Sequence, residues 1–254
     1  MTAIGLFPSV AHRLAAQPAP GEDPGDSDMT IGAVLPVKDF CHAKQRLAGF
    51  LSPPERRLLC EAMAEDVLET LFQVPALSDI VVVTRDERAG QLAAGHGARV
   101  LTEPANDGQS AAVERAAAAL CRAGVDSLLQ VPGDVPGASA EEINTVLAAH
   151  KRTGDGEPAV TLVPSHDRRG TNCVLCSPPD ALPFAFGHDS FGPHCKAART
   201  QGIAPTILPV PGLGLDIDTP DDLRAFMARP AAGRTLDYLR ESGIAPRLLV
   251  TDAA

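Results

Sequence analysis

From Met29 onward, short apolar runs alternate with stretches of helical period, and few architectures accept such a pattern. Runs at 31–37, 80–83, 99–101, 127–131, 159–163, 206–210 and 215–218 read as strands. Apolar stripes at 88–94, 109–122 and 139–150, with two more helices starting near Ser52 and Thr219, read as the connections. Strand–helix alternation of this kind requires a mainly parallel sheet with helices on both faces, because a parallel crossover must carry its helix over the sheet. Helix starts are written in the sequence. Ser52-Pro53-Pro54-Glu55 offers a capping serine, prolines in the first turn and a returning glutamate. Leu58, Leu59, Ala62, Met63 and Val67 follow as one stripe. Thr219-Pro220-Asp221-Asp222 opens another helix, with an N-cap threonine, a proline and two acids in the first turn.

Residues 1–28, with PAPGEDPGDSD at 18–28, contain little to bury and read as a disordered N-terminal extension. Residues 29–254 then form one domain. The region 165–205, rich in Gly, Pro, His and Ser and with a short strand at 172–175, interrupts the alternation and is expected to be a small inserted lobe that covers a substrate.

Charge and aromatic content exclude several classes of partner. A formal net charge of −10 argues against a broad nucleic-acid surface. With no Trp and one Tyr, the chain lacks the platforms on which bases stack. No apolar run approaches the roughly 20 residues needed to span a bilayer. The six cysteines are scattered and no secretory pattern precedes them, so a reducing cytoplasm is expected. Cys173-x-x-Cys176 has only His194-Cys195 to complete a zinc knuckle, so these thiols read as small buried side chains. Phosphate-loop, dinucleotide-fingerprint, serine-elbow and H-E-x-x-H motifs are absent. Among the histidines, His42, His188 and His194 are placed to touch a substrate, whereas His12, His96 and His150 read as surface.

Three segments put charge at strand ends. Asp216 and Asp218 alternate in Leu215-Asp216-Ile217-Asp218, which points both carboxylates to one side. Asp134 ends another strand after Pro132-Gly133. Ligands collect at the carboxyl ends of open α/β sheets, and three carboxylates meeting there suit a hard cation such as magnesium. The alternative is that Asp218 helps to cap the next helix and Asp134 stabilises a turn. Lys38, Lys44 and Arg46 follow the first strand, where cations hold a triphosphate and neutralise departing pyrophosphate; elsewhere such a cluster is a solvated surface. Arg168-Arg169-Gly170-Thr171-Asn172 and Gly187-His188-Asp189-Ser190 offer hydroxyls and glycine amides to a small anion, or simply turn the chain.

The ordered set Val34-Leu35-Pro36-Val37-Lys38 with Ala43-Lys44-Gln45-Arg46-Leu47, Gln130-Val131-Pro132-Gly133-Asp134, Gly170-Thr171-Asn172, Phe186-Gly187-His188-Asp189-Ser190 and Leu215-Asp216-Ile217-Asp218-Thr219-Pro220 resembles the 2-phospholactate guanylyltransferases and their phosphoenolpyruvate- and 3-phosphoglycerate-using relatives. The resemblance covers nearly all of residues 31–229. It implies an α/β, Rossmann-like, GT-A-like nucleotidyltransferase fold with a mixed sheet. It also implies joining of GTP to a small phosphorylated acid, with pyrophosphate released, in deazaflavin coenzyme F-420 biosynthesis. On this resemblance Asp134, Asp216 and Asp218 bind Mg2+ (two ions, or Mn2+), Thr171, Gly187 and Ser190 hold the acid, and Lys38 lies near the phosphates. Gly108, Pro132 and Gly133 are assigned to the nucleotide. A downstream transferase that takes the activated product, and a second copy of the chain, are the macromolecular partners expected. After Asp107-Gly108 the family often has Leu-Asn where this chain has Gln109-Ser110, which bears on the choice of base. Molybdenum-cofactor and sugar-phosphate nucleotidyltransferases usually carry a glycine-rich loop after the first strand. Pro36-Val37-Lys38-Asp39 has no glycine. A non-catalytic nucleotide-binding protein is the remaining alternative.

Overall fold

The computed structural model describes residues 29–105, 107–150, 156–229 and 232–250. The expected N-terminal extension, and His12 within it, lie outside the described residues. Seven strands form one sheet: β1 (Ile31–Pro36), β2 (Leu77–Thr84), β3 (Arg99–Thr102), β4 (Ser127–Gln130), β5 (Ala159–Pro164), β6 (Thr171–Ser177) and β7 (Thr206–Ile207). Their order is β3-β2-β1-β4-β6-β5-β7. All neighbouring pairs are parallel except those made by β6, which runs antiparallel to β4 and β5. That reversal has a consequence for the site. The start of β6, at Thr171, comes to the same sheet edge as the carboxyl ends of β1, β4 and β5.

Helices α1 (Pro53–Phe72) and α4 (Ala140–Ala149) and the C-terminal α6 (Pro220–Met227), α7 (Arg234–Glu241) and α8 (Ile244–Val250) belong to the apolar layer on one face, with α2 (Glu87–Gly95) at the β3 edge. Helices α3 (Gln109–Arg122) and α5 (Phe191–Thr200) cover the other face. Alternate residues of β1 serve the two layers: Ala33 and Leu35 face the α1 side, Val34 the α3 side. Gly32 gives α3 room where it crosses β1, since a Cβ there would meet the Leu120 side chain at 2.6 Å and push it aside.

The expected capping box at Ser52 forms, and the expected N-cap at Thr219 is also completed into a box by Asp222. Ser52 N–H donates to Glu55 Oε2 at 2.7 Å, and Thr219 N–H to Asp222 Oδ2 at 2.7 Å. Several expectations need correction. Leu58 lies outside the buried stripe of α1 and is 47% exposed, while Leu59, Ala62, Met63 and Val67 are buried. His150 is buried rather than superficial, held between Thr161 Oγ1 and Ser177 Oγ at 2.9 Å each, which lets two adjacent strands carry polar groups inside. The last strand shrinks to Thr206–Ile207. The region 165–205 is tied into the sheet, because β6 is one of its inner strands; its loops and the start of β6 line the cavity described below. Cys173 and Cys176, three apart in a strand, face opposite layers, and burial pushes both thiols well above their ordinary range. They cannot share a metal ion.

Candidate active site

A cavity of about 810 Å³ opens along the sheet edge where β1, β4 and β5 end and β6 begins. Its walls include the residues assigned above to the metal, the acid, the nucleotide and the phosphates: Lys38, Lys44, Arg46, Gly108, Pro132, Gly133, Asp134, Thr171, Gly187, Ser190, Asp216 and Asp218; Arg168, Arg169 and Asp189 do not line it. Lys44 and Asp218, 174 positions apart in the chain, therefore meet in one depression.

The centre of the cavity is built around Lys44. Its backbone takes a left-handed conformation, φ 53°, unusual for a side chain with a Cβ, and this turns the ammonium inward. Lys44 Nζ donates to Asp134 Oδ2 at 2.6 Å and to Asp218 Oδ1 at 2.7 Å, and its side chain is only 8% exposed. Burial alone would lower the pKa of Lys44, but the two carboxylates outweigh it and hold the ammonium above its ordinary value. For Asp218, burial works upward and is overcome by Lys44, with Arg46 and Lys38 adding to the effect, so its carboxyl lies below the usual range. Arg46 Nη1 reaches Asp218 Oδ2 at 3.4 Å from a half-exposed position. Lys38 is exposed on the rim and makes no ion pair among the described residues.

Asp216 has a different environment. Its Oδ1 accepts from Asn172 Nδ2 at 3.1 Å, and Lys44 does not reach it. Burial first, then the charge of Asp134, raises its pKa. The segment carrying both aspartates is not a strand, contrary to expectation: residues 215–218 join no ladder. The in-and-out alternation survives all the same, with Leu215 and Ile217 buried and the two aspartates partly exposed. Single hydrogen bonds replace the ladder. Ile217 N–H donates to Asp134 O at 3.0 Å, His166 N–H to Gly214 O at 2.7 Å, and Asn172 Nδ2 to Leu213 O at 3.0 Å. Upstream, Glu142 accepts from Gly212 N–H at 2.7 Å and Leu213 N–H at 3.2 Å. Only glycine fits at 212, where a Cβ would lie 2.2 Å from both Glu142 Oε2 and Gly137 O. Helix α6 is capped by Thr219 and Asp222, so the carboxylate of Asp218 is not spent on capping.

Toward α5, Thr171 and Ser190 are both buried. Thr171 N–H donates to Ser190 Oγ at 2.9 Å, and Gly187 lies exposed beside them. His194, expected to touch substrate, is fully buried behind this wall and does not line the cavity. At the opposite end, Gly108 takes φ +92° to start α3, and Glu103 closes the wall. The Glu103 side chain is 8% exposed and, among the described residues, pairs with Arg115 alone, at 3.2 Å. Burial raises its pKa. Sequence reasoning missed Glu103, which follows an unremarkable short strand, and gave no role to Asn172, although it stood inside a quoted motif.

Glu65, Glu69 and His96 form the one trio of His, Cys, Asp or Glu among the described residues whose ligand atoms lie within 4.8 Å of one another. Its charge is already met by Arg234, which reaches Glu65 at 3.1 Å and Glu69 at 3.0 Å, remote from the cavity. In the cavity itself the carboxylates are spread around the Lys44 ammonium.

A carboxylate-and-cation pocket over the strand ends of this mixed sheet defines an α/β nucleotidyltransferase. The fold matches a nucleotidyl transferase from Methanothermobacter thermautotrophicus with TM-score 0.56 and 18% identity, covering 84% of this chain and 99% of that one. It also matches a glucosyl-3-phosphoglycerate synthase from Mycobacterium tuberculosis solved with Mn2+ and uridine diphosphate, with TM-score 0.52 and 16% identity over 77% of each chain. The family described as "Guanylyl transferase CofC like" matches residues 31–251, and the chain belongs to it. A phosphoenolpyruvate guanylyltransferase of Conexibacter woesei is 38% identical over 206 residues, 81% of this chain and 91% of that protein. A 3-phospho-D-glycerate guanylyltransferase of Colwellia psychrerythraea is 34% identical over 204 residues, 80% of this chain and 94% of that protein. The protein is a nucleotidyl-transferring enzyme, with a nucleotide and a phosphorylated acid as its substrates. No helix among the described residues is long and apolar enough to cross a membrane.

Proposed function

We propose that the chain joins the guanylyl group of GTP to a small phosphorylated carboxylic acid, phosphoenolpyruvate or a close analogue. The observation that carries this reading is the central cluster, in which Lys44 is clasped by Asp134 and Asp218 with Asp216 beside them. The acid lies on the Thr171–Gly187–Ser190 side, under the loops of 165–190. The nucleoside lies toward Gly108, Pro132 and Gly133. The nearly buried carboxylate of Glu103 supports this division, since it would repel the acid and can face only the uncharged part of the nucleotide.

The reaction needs no general base. The attacking atom is an oxygen of the acid's phosphate, largely ionised at neutral pH. It bonds to the α-phosphorus as the link to the β-phosphate breaks, pyrophosphate leaves, and a diphosphate bridge joins acid and guanosine. Two polyanions must therefore be brought together and aligned. Lys38 and Arg46, at the cavity rim, and Lys44 supply positive charge for this.

Asp134, Asp216 and Asp218 would hold magnesium or manganese, which lowers the repulsion between the substrates when bound. Their oxygens suit a hard cation, and the Lys44 ammonium between two of them is itself a cation in that place. The activated product suits a downstream transferase, as in coenzyme F-420 assembly in the cytoplasm. The test is a panel of GTP and ATP against phosphoenolpyruvate, 2-phospho-L-lactate and 3-phospho-D-glycerate, read by mass. One GTP–acid pair giving the guanylylated acid supports the proposal. Nucleotide hydrolysis alone, with every acid, contradicts it.

A further inference from the structure

Behind the acid side of the cavity, the hydrogen bonds around His194 determine which atoms still have a proton to give. The imidazole is completely buried. Its Nε2 lies 2.9 Å from Ala185 N, a backbone amide that can only donate, so Nε2 accepts. The single ring proton of the neutral imidazole is therefore on Nδ1, which lies 2.9 Å from Thr171 Oγ1 and donates to it. Burial, which lowers the His194 pKa to about 4, is consistent with a neutral ring. Thr171 Oγ1 thus already accepts a hydrogen bond, and its own proton has no acceptor among the described residues. Ser190 is in the same condition, since its Oγ accepts from Thr171 N–H at 2.9 Å. Both residues line the cavity. An oxyanion is the acceptor these two hydroxyls lack.

We propose that His194 is a positioning residue for the acid substrate: through Nδ1 it commits the Thr171 hydroxyl to donate into the cavity, and through Nε2 it anchors the chain at Ala185, just before Phe186 and Gly187. The proposal rests on the reading that the Thr171–Ser190 side binds the phosphorylated acid. It explains why His194, in a helix whose Pro193 and Lys196 are exposed, is turned inward and buried behind the cavity wall. Phe186 packs edge-on against the ring, with centroids 4.8 Å apart and planes at 69°, so the imidazole is held in orientation as well as in place.

The experiment compares the unmodified enzyme with His194→Asn, whose amide nitrogen can replace Nδ1 as donor, and His194→Phe, which keeps bulk and loses both nitrogens. Steady-state kinetics with phosphoenolpyruvate and GTP are joined to a cycle with Thr171→Val. The expected result for His194→Phe is a KM for the acid raised about 10-fold, the size of one hydrogen bond to a charged group, with the KM for GTP within about 2-fold. His194→Asn recovers most of that loss. In the Thr171→Val background, His194→Phe adds nothing further, because its route to the substrate is already cut. Equal weakening for acid and nucleotide, or an undiminished His194→Phe effect without the Thr171 hydroxyl, overturns the proposal. If His194→Phe does not fold, His194→Gln, whose amide oxygen keeps an acceptor for Ala185 N–H while the Nδ1 donor is lost, takes its place in the same cycle. A total lack of product from the unmodified enzyme with every acid would instead remove the reading on which this one rests, and this proposal with it.

Discussion

Replacing Lys44 by Met separates the two jobs the structure gives this side chain. The ammonium is 8% exposed and touches Asp134 and Asp218 at 2.6 and 2.7 Å. Removing one partner of a buried ion pair costs about 3–5 kcal/mol, chiefly because the remaining charge is left uncompensated. Here the two carboxylates are 30% and 34% exposed, so water takes over part of the solvation and the loss falls to about 2–3 kcal/mol. For a domain of this size that lowers Tm by roughly 4–12 °C. The assay is thermal unfolding followed by circular dichroism, first with a chelator and then with excess Mg2+. With the chelator, the variant melts below the unmodified protein by that amount. With Mg2+, at least half of the gap closes, because a divalent ion replaces the missing charge between the same oxygens. A Tm unchanged by the substitution, or a gap that Mg2+ leaves as it was, would refute the electrostatic account of the cavity.

Four other outcomes are expected. Asn172→Leu frees Asp216 and Leu213 O from their shared donor, and turnover falls about 10–100-fold with the circular dichroism spectrum retained. Glu103→Gln keeps the size of the side chain but removes the charge that the proposed function sets against the nucleoside, where a carboxylate would favour the N–H donors of guanine; the ratio of kcat/KM for GTP to that for ATP drops at least about 10-fold. Gly212→Ala forces a Cβ onto Gly137 O and Glu142, destabilising the protein by about 1–3 kcal/mol in urea titration. The His194 pKa is lowered to about 4, so between pH 6.5 and 4 the unfolded chain binds a proton the folded one refuses. Stability is therefore lost as pH falls through that window, on the order of 3 kcal/mol from this group, and His194→Asn shows a flatter urea-midpoint profile over the same range.

Most of the frame was legible because it rests on local signals. The serine–proline–glutamate start of α1 and the threonine–proline–aspartate start of α6 announce capping geometry in four residues each. The strands were legible as short apolar runs, but the reversed direction of β6 was not, since nothing in Thr171–Ser177 records which neighbours it will pair with. That reversal is what delivers Thr171 and Asn172 to the site. The alternation at 215–218 was read as a strand, whereas a period of two reports only an extended chain with one buried side; here side-chain and loop hydrogen bonds hold it. The acidic trio was legible in composition and position. The arrangement around Lys44 was not, because it depends on one left-handed residue after the first strand. His194 looked like a substrate ligand from its company of glycines and serines, and burial gave it a different task. Glu103 carried no local signal at all.

The most direct test of the account is pyrophosphate release by Asp216→Asn at saturating GTP and phosphoenolpyruvate, titrated with Mg2+ from limiting to excess. Among the described residues Asp216 has no ion-pairing partner, so the substitution should leave the melting curve intact. The expected result is loss of nearly all turnover at limiting Mg2+, with little return at excess. Near-normal release at limiting Mg2+ by the folded variant would show that the three aspartates do not share a cation with the triphosphate.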